Sequence, residues 1–310
     1  MRLAGLHHVT MITGDAQANA DFYDDLLGLR LVKKNVNFDR PDAYHLYFGD
    51  EQGAPGSILT WFEFPDAAPG RAGAGMVHTL ELGVAGEAAL AFWAERLGAA
   101  GVAVERTPHG LGFADGDGLA LELVVADERN APLRAAHPEI PAEHAIGGLE
   151  GARAYAAFAP VRDGVLVDVL GLEHVEAGEY RLDGSRRRFR WGLDPAPHQA
   201  GHLGPGTVHH IAWASPDEDH VAWWVRVHEA GGVVTDVRDR EYFMAIYFRE
   251  PRGVLFEIAT LSPGFAVDED PEHLGEALRL PAMHAHLREE LERSLRPVVN
   301  PRVRRREGRA

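Results

Sequence analysis

The stretches LHHVTMITGD, from Leu6, and VHHIAWASPD, from Val208, each set a histidine pair at the head of an apolar run, twice in one chain. Superposing the two runs lays His8 over His210, the second histidine of each pair. Continued along the chain, it lays LYF (46–48) over IYF (246–248), and Thr60 of GSILT over Glu257 of GVLFE. The 310 residues include no cysteine, so a divalent metal here must be held by His, Asp or Glu. Two imidazoles and one carboxylate form the facial set that leaves open positions on Fe(II) for substrate and oxygen. Glu257 lies between Phe256 and Ile258, and a carboxylate buried in such a run is costly unless it is paired or coordinates a metal. His8, His210 and Glu257 are therefore the expected metal ligands, with Fe(II) as the expected ion and Mn(II) as the alternative.

These residues need a scaffold, and the chain reads as four related units. In residues 1–66, HHVTMIT is a strand. Asp15 can cap the helix that follows, with Ala18, Phe22, Leu26 and Leu27 at helical spacing. The β-type runs LRLVKKNVNF, AYHLYFGD and SILTWFEF complete a βαβββ module. The order recurs over 74–127 and 206–262, and in degraded form over 145–195, with a polar, proline-bearing linker at 128–144. Residues 263–310 read as a C-terminal helix, PAMHAHLREELERSL, and a basic end, RVRRREGRA, expected to be a solvated terminus.

Units of about fifty residues should pair to bury their faces. Metal–nitrogen bonds are only about 2 Å long, so the first and fourth modules are expected to form the metal domain. The second and third then make a metal-free one. The second module retains His78 and Glu122, but Glu150 and Gly151 stand where the third would need a histidine pair, so no second site is expected.

HHVTMITGDAQANADFYDDLLGLRLVKKNVNFD, YHLYFGDEQGAPGSILTWF and LGEALRLP resemble the vicinal oxygen chelate superfamily, and within it the ring-cleaving dioxygenases that act on hydroquinones and related phenols. The resemblance implies an α+β fold of four βαβββ modules paired into two incomplete barrels. It also implies that Tyr247 and Arg240 face the metal, Tyr247 bonding a substrate oxygen and Arg240 steadying a phenolate. It further places His7 and His209 near the substrate as proton carriers, whereas strand alternation turns them away from the face of His8 and His210. Thr10 shares the face of His8. In the related glyoxalase I, a second carboxylate stands where this chain has Thr60.

The expected activity is therefore an Fe(II)-dependent extradiol-type dioxygenase inserting O2 into a hydroquinone- or catechol-like ring. A glyoxalase-type metal-dependent lyase or isomerase, or a metal-free protein binding an aromatic compound, are the alternatives. The formal charge of −16 argues against nucleic acid and anionic membrane as partners. The start of the chain lacks a long apolar signal segment, and a cytoplasmic place is expected. Self-association stays open.

Overall fold

The computed structural model describes residues 1–156 and 164–308; residues 157–163, within the expected third module, and the last two residues of the tail lie outside the described residues. Sixteen strands run in chain order among the described residues. The first four are β1 (Gly5–Thr13), β2 (Arg30–Val36), β3 (Tyr44–Gly49) and β4 (Ile58–Glu63). They are followed by β5 (Val77–Val84), β6 (Glu105–Arg106), β7 (Gly110–Ala114) and β8 (Ala120–Val125). Next come β9 (Leu149–Ala156), β10 (Glu173–Glu176), β11 (Glu179–Asp183) and β12 (Arg188–Pro195), and last β13 (Thr207–Ser215), β14 (Arg238–Asp239), β15 (Met244–Arg249) and β16 (Leu255–Thr260).

They form two eight-stranded mixed sheets, giving an α+β fold. One has the order β14-β15-β16-β13-β1-β4-β3-β2, the other β10-β11-β12-β9-β5-β8-β7-β6. In the first sheet β1 runs antiparallel to β13, so strands from the two ends of the chain meet at its centre. Residues of β1, β3, β4, β13, β15 and β16 line one cavity, so this sheet curls around it. Strands β1, β2 and β3 are buried at every position, as they must be when the cavity lies on one face and helices or the tail on the other.

The helix after β1, α1 (Ala16–Ala20), is capped by Asp15, whose carboxylate accepts from the amides of Gln17 and Ala18, both at 2.9 Å, and it widens into a π-turn over Asp21–Leu26. Its buried face differs from the expected one. Ala16, Ala20, Tyr23 and Leu27 are buried, Ala18 is exposed, and Phe22 and Leu26 are half-buried. The two alanines let the helix lie close to the sheet, and Tyr23 packs 4.0 Å from Trp61 while its hydroxyl donates to Asp115 at 2.8 Å. The other long helices, α2 (Glu87–Ala99) and α3 (His220–Glu229), bury Trp93 and Trp223. Among the described residues no helix is long and apolar enough to cross a membrane.

The tail corrects two expectations. The single helix expected at 281–295 is a 3-10 segment, Ala282–Leu287, followed by α4 (Arg288–Ser294). The basic end forms α5 (Pro301–Glu307), which Asn300 caps, and it lies against the acidic π-turn instead of fraying into solvent. Arg305 pairs with buried Asp24 at 2.6 Å, Arg304 with Asp25 at 2.5 Å, and Arg302 with Glu51 at 3.0 Å. The tail also reaches β2, where Lys33, fully buried, pairs with Glu269 and, at 2.6 Å, with Asp268.

Candidate metal centre

β1, β13 and β16 bring His8, His210 and Glu257 together. One ligand atom from each lies within 4.8 Å of the others, and all three residues are buried. The Nε2 atoms of His8 and His210 stand 3.4 and 2.9 Å from the same carboxylate oxygen of Glu257. Neither oxygen has an aligned hydrogen-bond donor, although Glu257 is entirely buried. Burial alone would raise this carboxyl; the two imidazoles outweigh it and hold the group below the usual carboxylate range. A fully buried carboxylate without donors, facing two ring nitrogens, is the environment of a cation site.

The histidine pairs owe their geometry to two β-bulges. Leu6 pairs with Trp213 and His8 with Ala212, which leaves His7 as the extra residue; Thr10 pairs with His210 and Met11 with Val208, which leaves His209 extra. A bulge interrupts strict alternation. The Nδ1 of His7 comes within 2.9 Å of the Nδ1 of His8, and the Nδ1 of His209 within 2.8 Å of that of His210. One nitrogen of each pair donates. With Nδ1–H donated to its neighbour, each second histidine keeps the Nε2 lone pair free toward Glu257. Burial, then the adjacent ring, pushes both His7 and His209 down to about 3. Of the two, His209 lines the cavity; His7 packs against Phe243 at 4.9 Å.

The cavity in front of these residues holds about 330 Å³. Thr10, Tyr247 and Arg240 line it, as do four phenylalanines, Phe38, Phe62, Phe64 and Phe243. Tyr247 sits opposite Glu257 in the β15–β16 pairing, and its hydroxyl accepts from the Nε of Arg240 at 3.2 Å. Burial raises the Tyr247 phenol far above its ordinary value, with the Glu257 charge adding to it. Thr60 fills the place that a second acid would take. Its hydroxyl donates to Thr10 at 3.0 Å and meets the Nε2 of His45 at 2.9 Å.

His45 and Tyr47 were not singled out in the sequence, yet both line the cavity, and the Tyr47 hydroxyl lies 2.7 Å from the Nδ1 of His45. Burial, then the neighbouring His8 and His210, pushes His45 well below its ordinary value, which keeps the ring neutral. A signal existed. Tyr47 is the counterpart of Tyr247 in the LYF/IYF superposition, and His45, two residues earlier on one strand, must share its face.

The second sheet repeats the same scaffold, bulges included. Val77 pairs with Ala154 and Thr79 with Arg153, leaving His78 extra; Glu81 pairs with Gly151 and Leu82 with Leu149, leaving Glu150 extra. Counted from these bulges, Thr79 stands where His8 does, Gly151 where His210 does, and Gly192 where Glu257 does. His78 is thus the counterpart of His7, not of His8. Its Nε2 contacts Asp194 at 3.0 Å, and Arg153 pairs with Asp194 at 2.7 Å and with Glu179 at 2.9 Å. A side chain begun at Gly192 would meet the Arg153 guanidinium within 2.6 Å.

A curled sheet whose bulged central strands present two histidines and a glutamate to one cavity describes the metal-chelating half of a paired-module fold. The family model of the Glyoxalase/Bleomycin resistance protein/Dioxygenase superfamily matches residues 5–123 and 166–258, and the chain belongs to that superfamily. It is 43% identical over 302 residues to "Putative ring-cleaving dioxygenase MhqO" of Bacillus subtilis, covering 94% of this chain and 96% of that protein. It is 32% identical over 324 residues to the chlorohydroquinone/hydroquinone 1,2-dioxygenase of Sphingobium indicum, covering 96% and 98%. A crystal structure titled as a putative dioxygenase from Bacillus subtilis superposes with a TM-score of 0.89 at 40% identity, covering 96% of this chain and 98% of that one. Likeness of this extent makes the protein an oxidoreductase of the dioxygenase kind.

Proposed function

We propose that the protein is an Fe(II)-dependent extradiol-type dioxygenase that opens a hydroquinone- or catechol-like ring, with Mn(II) as the alternative ion. The observation that carries this reading is the donor-free carboxylate of Glu257 facing the Nε2 atoms of His8 and His210. Those three side chains would hold the ion and leave its remaining positions toward the cavity. A bound redox-active ion would supply the joint chelation of phenolate and O2 that ring cleavage needs.

The remaining chemistry falls to this chain's own side chains. Phe38, Phe62, Phe64 and Phe243 give the ring apolar walls and keep water from it. The phenol must lose a proton to bind as an anion. Neutral His45, buried on the same cavity with Nε2 toward Thr60 and Nδ1 toward the Tyr47 hydroxyl, would take that proton by way of Tyr47, whose hydroxyl passes its own proton to Nδ1 as it accepts the phenol's, and the reverse transfer would return it later. Arg240 brings a half-buried positive charge beside Tyr247, and the pair would steady an oxyanion on the ring. His7 and His209 act through His8 and His210 by fixing their tautomers. Thr60 supports this reading over a glyoxalase-type lyase, since it brings a hydroxyl where that chemistry uses a second carboxylate. The first-with-fourth pairing of modules belongs to the same reading, because the ligands of one ion come from β1, β13 and β16.

The test is anaerobic loading with Fe(II) or Mn(II), followed by oxygen uptake and product spectra with hydroquinone, chlorohydroquinone and catechol. The expected result is one O2 consumed per ring opened and loss of the aromatic absorbance. Tight binding of these phenols without oxygen uptake, with either ion, would make the protein a binding module.

A further inference from the structure

We propose that dioxygen reaches the centre by a rear door, a cleft between the two sheets that ends behind His209 and His210, while the aromatic substrate uses the front cavity. The inference rests on the dioxygenase reading. The cleft holds about 130 Å³ and is lined mainly by Met76, Val77, Leu203, Val208, Val254 and Leu255. It shares His209, His210 and Leu255 with the front cavity, so only those side chains separate the two. Leu255 stands two residues before Glu257 on β16 and so points to the same face, making it the partition beside the metal position.

Size divides the two entrances. A dry apolar cavity of about 150 Å³ is known to accept benzene; the rear cleft is smaller than that, whereas the front cavity is more than twice as large. A diphenol therefore fits the front, and once seated it stands between the front mouth and the ion. A diatomic gas needs far less room and is itself apolar. The one charged side chain in the rear wall, Arg249, is exposed and donates to the carbonyl of Gly253 at 2.8 Å. Rings of His209 and His210 are already bonded to each other through Nδ1. The side chains of Met76, Val77, Leu203, Val208, Val254 and Leu255 give an apolar gas an aliphatic surface along the cleft.

Two measurements test it. Crystals pressurised with xenon should show the gas between Met76, Val208 and Leu255, a readout that needs neither metal nor turnover. Met76→Trp, at a half-buried position in the cleft wall outside the ligand set, should abolish that xenon peak. In the loaded enzyme it should raise the KM for O2 by about five-fold or more while bound metal and the KM for the diphenol stay unchanged. Leu203→Trp, at a half-exposed position, should act in the same direction and serves if the first variant fails to fold. Xenon only in the front cavity, or an unchanged KM for O2 in a folded, plugged variant, would overturn the rear door. Should the wild type consume no oxygen with any diphenol, the proposed function falls, and the xenon map alone still decides whether the cleft admits an apolar gas.

Discussion

In the first sheet a buried carboxylate, Glu257, meets two ring nitrogens and no aligned donor; at the matching positions of the second sheet stand Thr79, Gly151 and Gly192, the nearby arginines are paired with acids, and buried Glu122 accepts from the Thr107 hydroxyl. Arg153 is held by Asp194 and Glu179, and Arg190 pairs with Glu81 at 2.9 Å. The scaffolds are alike down to their bulges, so the fold alone does not decide where a metal goes. The decision lies in whether the charges at the centre are left for an ion or satisfied by one another.

The largest effect should come from breaking the first sheet's centre. His8→Ala, His210→Ala and Glu257→Ala should each lower bound metal from about one per chain to below roughly a tenth, because three protein ligands leave no redundancy. Turnover should fall with it, beyond the roughly 10–100-fold that loss of an outer partner costs. Elemental analysis of the three folded variants decides this, and full occupancy in all of them would refute the assignment. The stabilisation that added Fe(II) gives the wild type in a thermal melt should vanish in the same variants.

Next in size is His45→Ala. Loss of a proton-transferring group typically costs about 10²–10⁴-fold in rate, and metal content should not change, because the His45 ring is bonded to Tyr47 and Thr60 rather than to the ligands. Single-turnover kinetics with the metal measured in the same sample separates this from ligand loss. Below it come His7→Ala and His209→Ala. Each removes the Nδ1 partner of a ligand and should weaken metal affinity by roughly 10–100-fold without abolishing binding, which a competition titration with a chelating dye would read.

How much of this was legible from the sequence follows from which physical signals are local. The cluster of His8, His210 and Glu257 was legible because the chain carries its own comparison, and a repeat exposes the two histidines and the acid that replaces Thr60. The strands followed from alternation and turn residues. The bulges at His7 and His209 did not, because an extra residue changes pairing and not composition; alternation therefore turned both rings away from the histidines whose Nδ1 atoms they contact, and made His78 look like the counterpart of His8. His45 was hidden by its strand, where a histidine between aromatics reads as core. The basic end was misjudged because its partners, Asp24, Asp25 and Glu51, lie more than 250 residues away in the chain.

The second sheet sharpens the comparison from the other side. Arg153→Ala should leave metal content and turnover unchanged and yet destabilise the fold by about 1–3 kcal/mol, since Asp194 and Glu179 lose a charged partner that is itself largely buried. Denaturant unfolding of the metal-free protein measures it. A loss of metal instead would mean that the two centres are coupled and that the second is no mere pseudo-site.

The smallest effects concern α5, where two neighbouring arginines repeat the contrast between buried and exposed charge. Arg304 meets Asp25 and Asp21, both partly exposed, so Arg304→Ala should cost no more than about 1 kcal/mol. Arg305 meets Asp24, whose side chain is 1% exposed and whose only other donor among the described contacts is the Leu31 amide at 2.9 Å. Arg305→Ala should cost about 1–3 kcal/mol. The pH dependence distinguishes the two. Burial raises the Asp24 carboxyl above its ordinary value even with Arg305 present, and removing Arg305 must raise it further. A carboxyl raised in the folded state contributes stability that is present below its unfolded value and is lost as pH rises through the folded one. The deficit of Arg305→Ala relative to wild type should therefore be small in acid, where Asp24 is protonated in both, and widen toward neutral pH. Arg304→Ala should follow wild type more closely across the same range, and equal, pH-independent deficits in chemical denaturation would show that Asp24 is not the group that α5 holds.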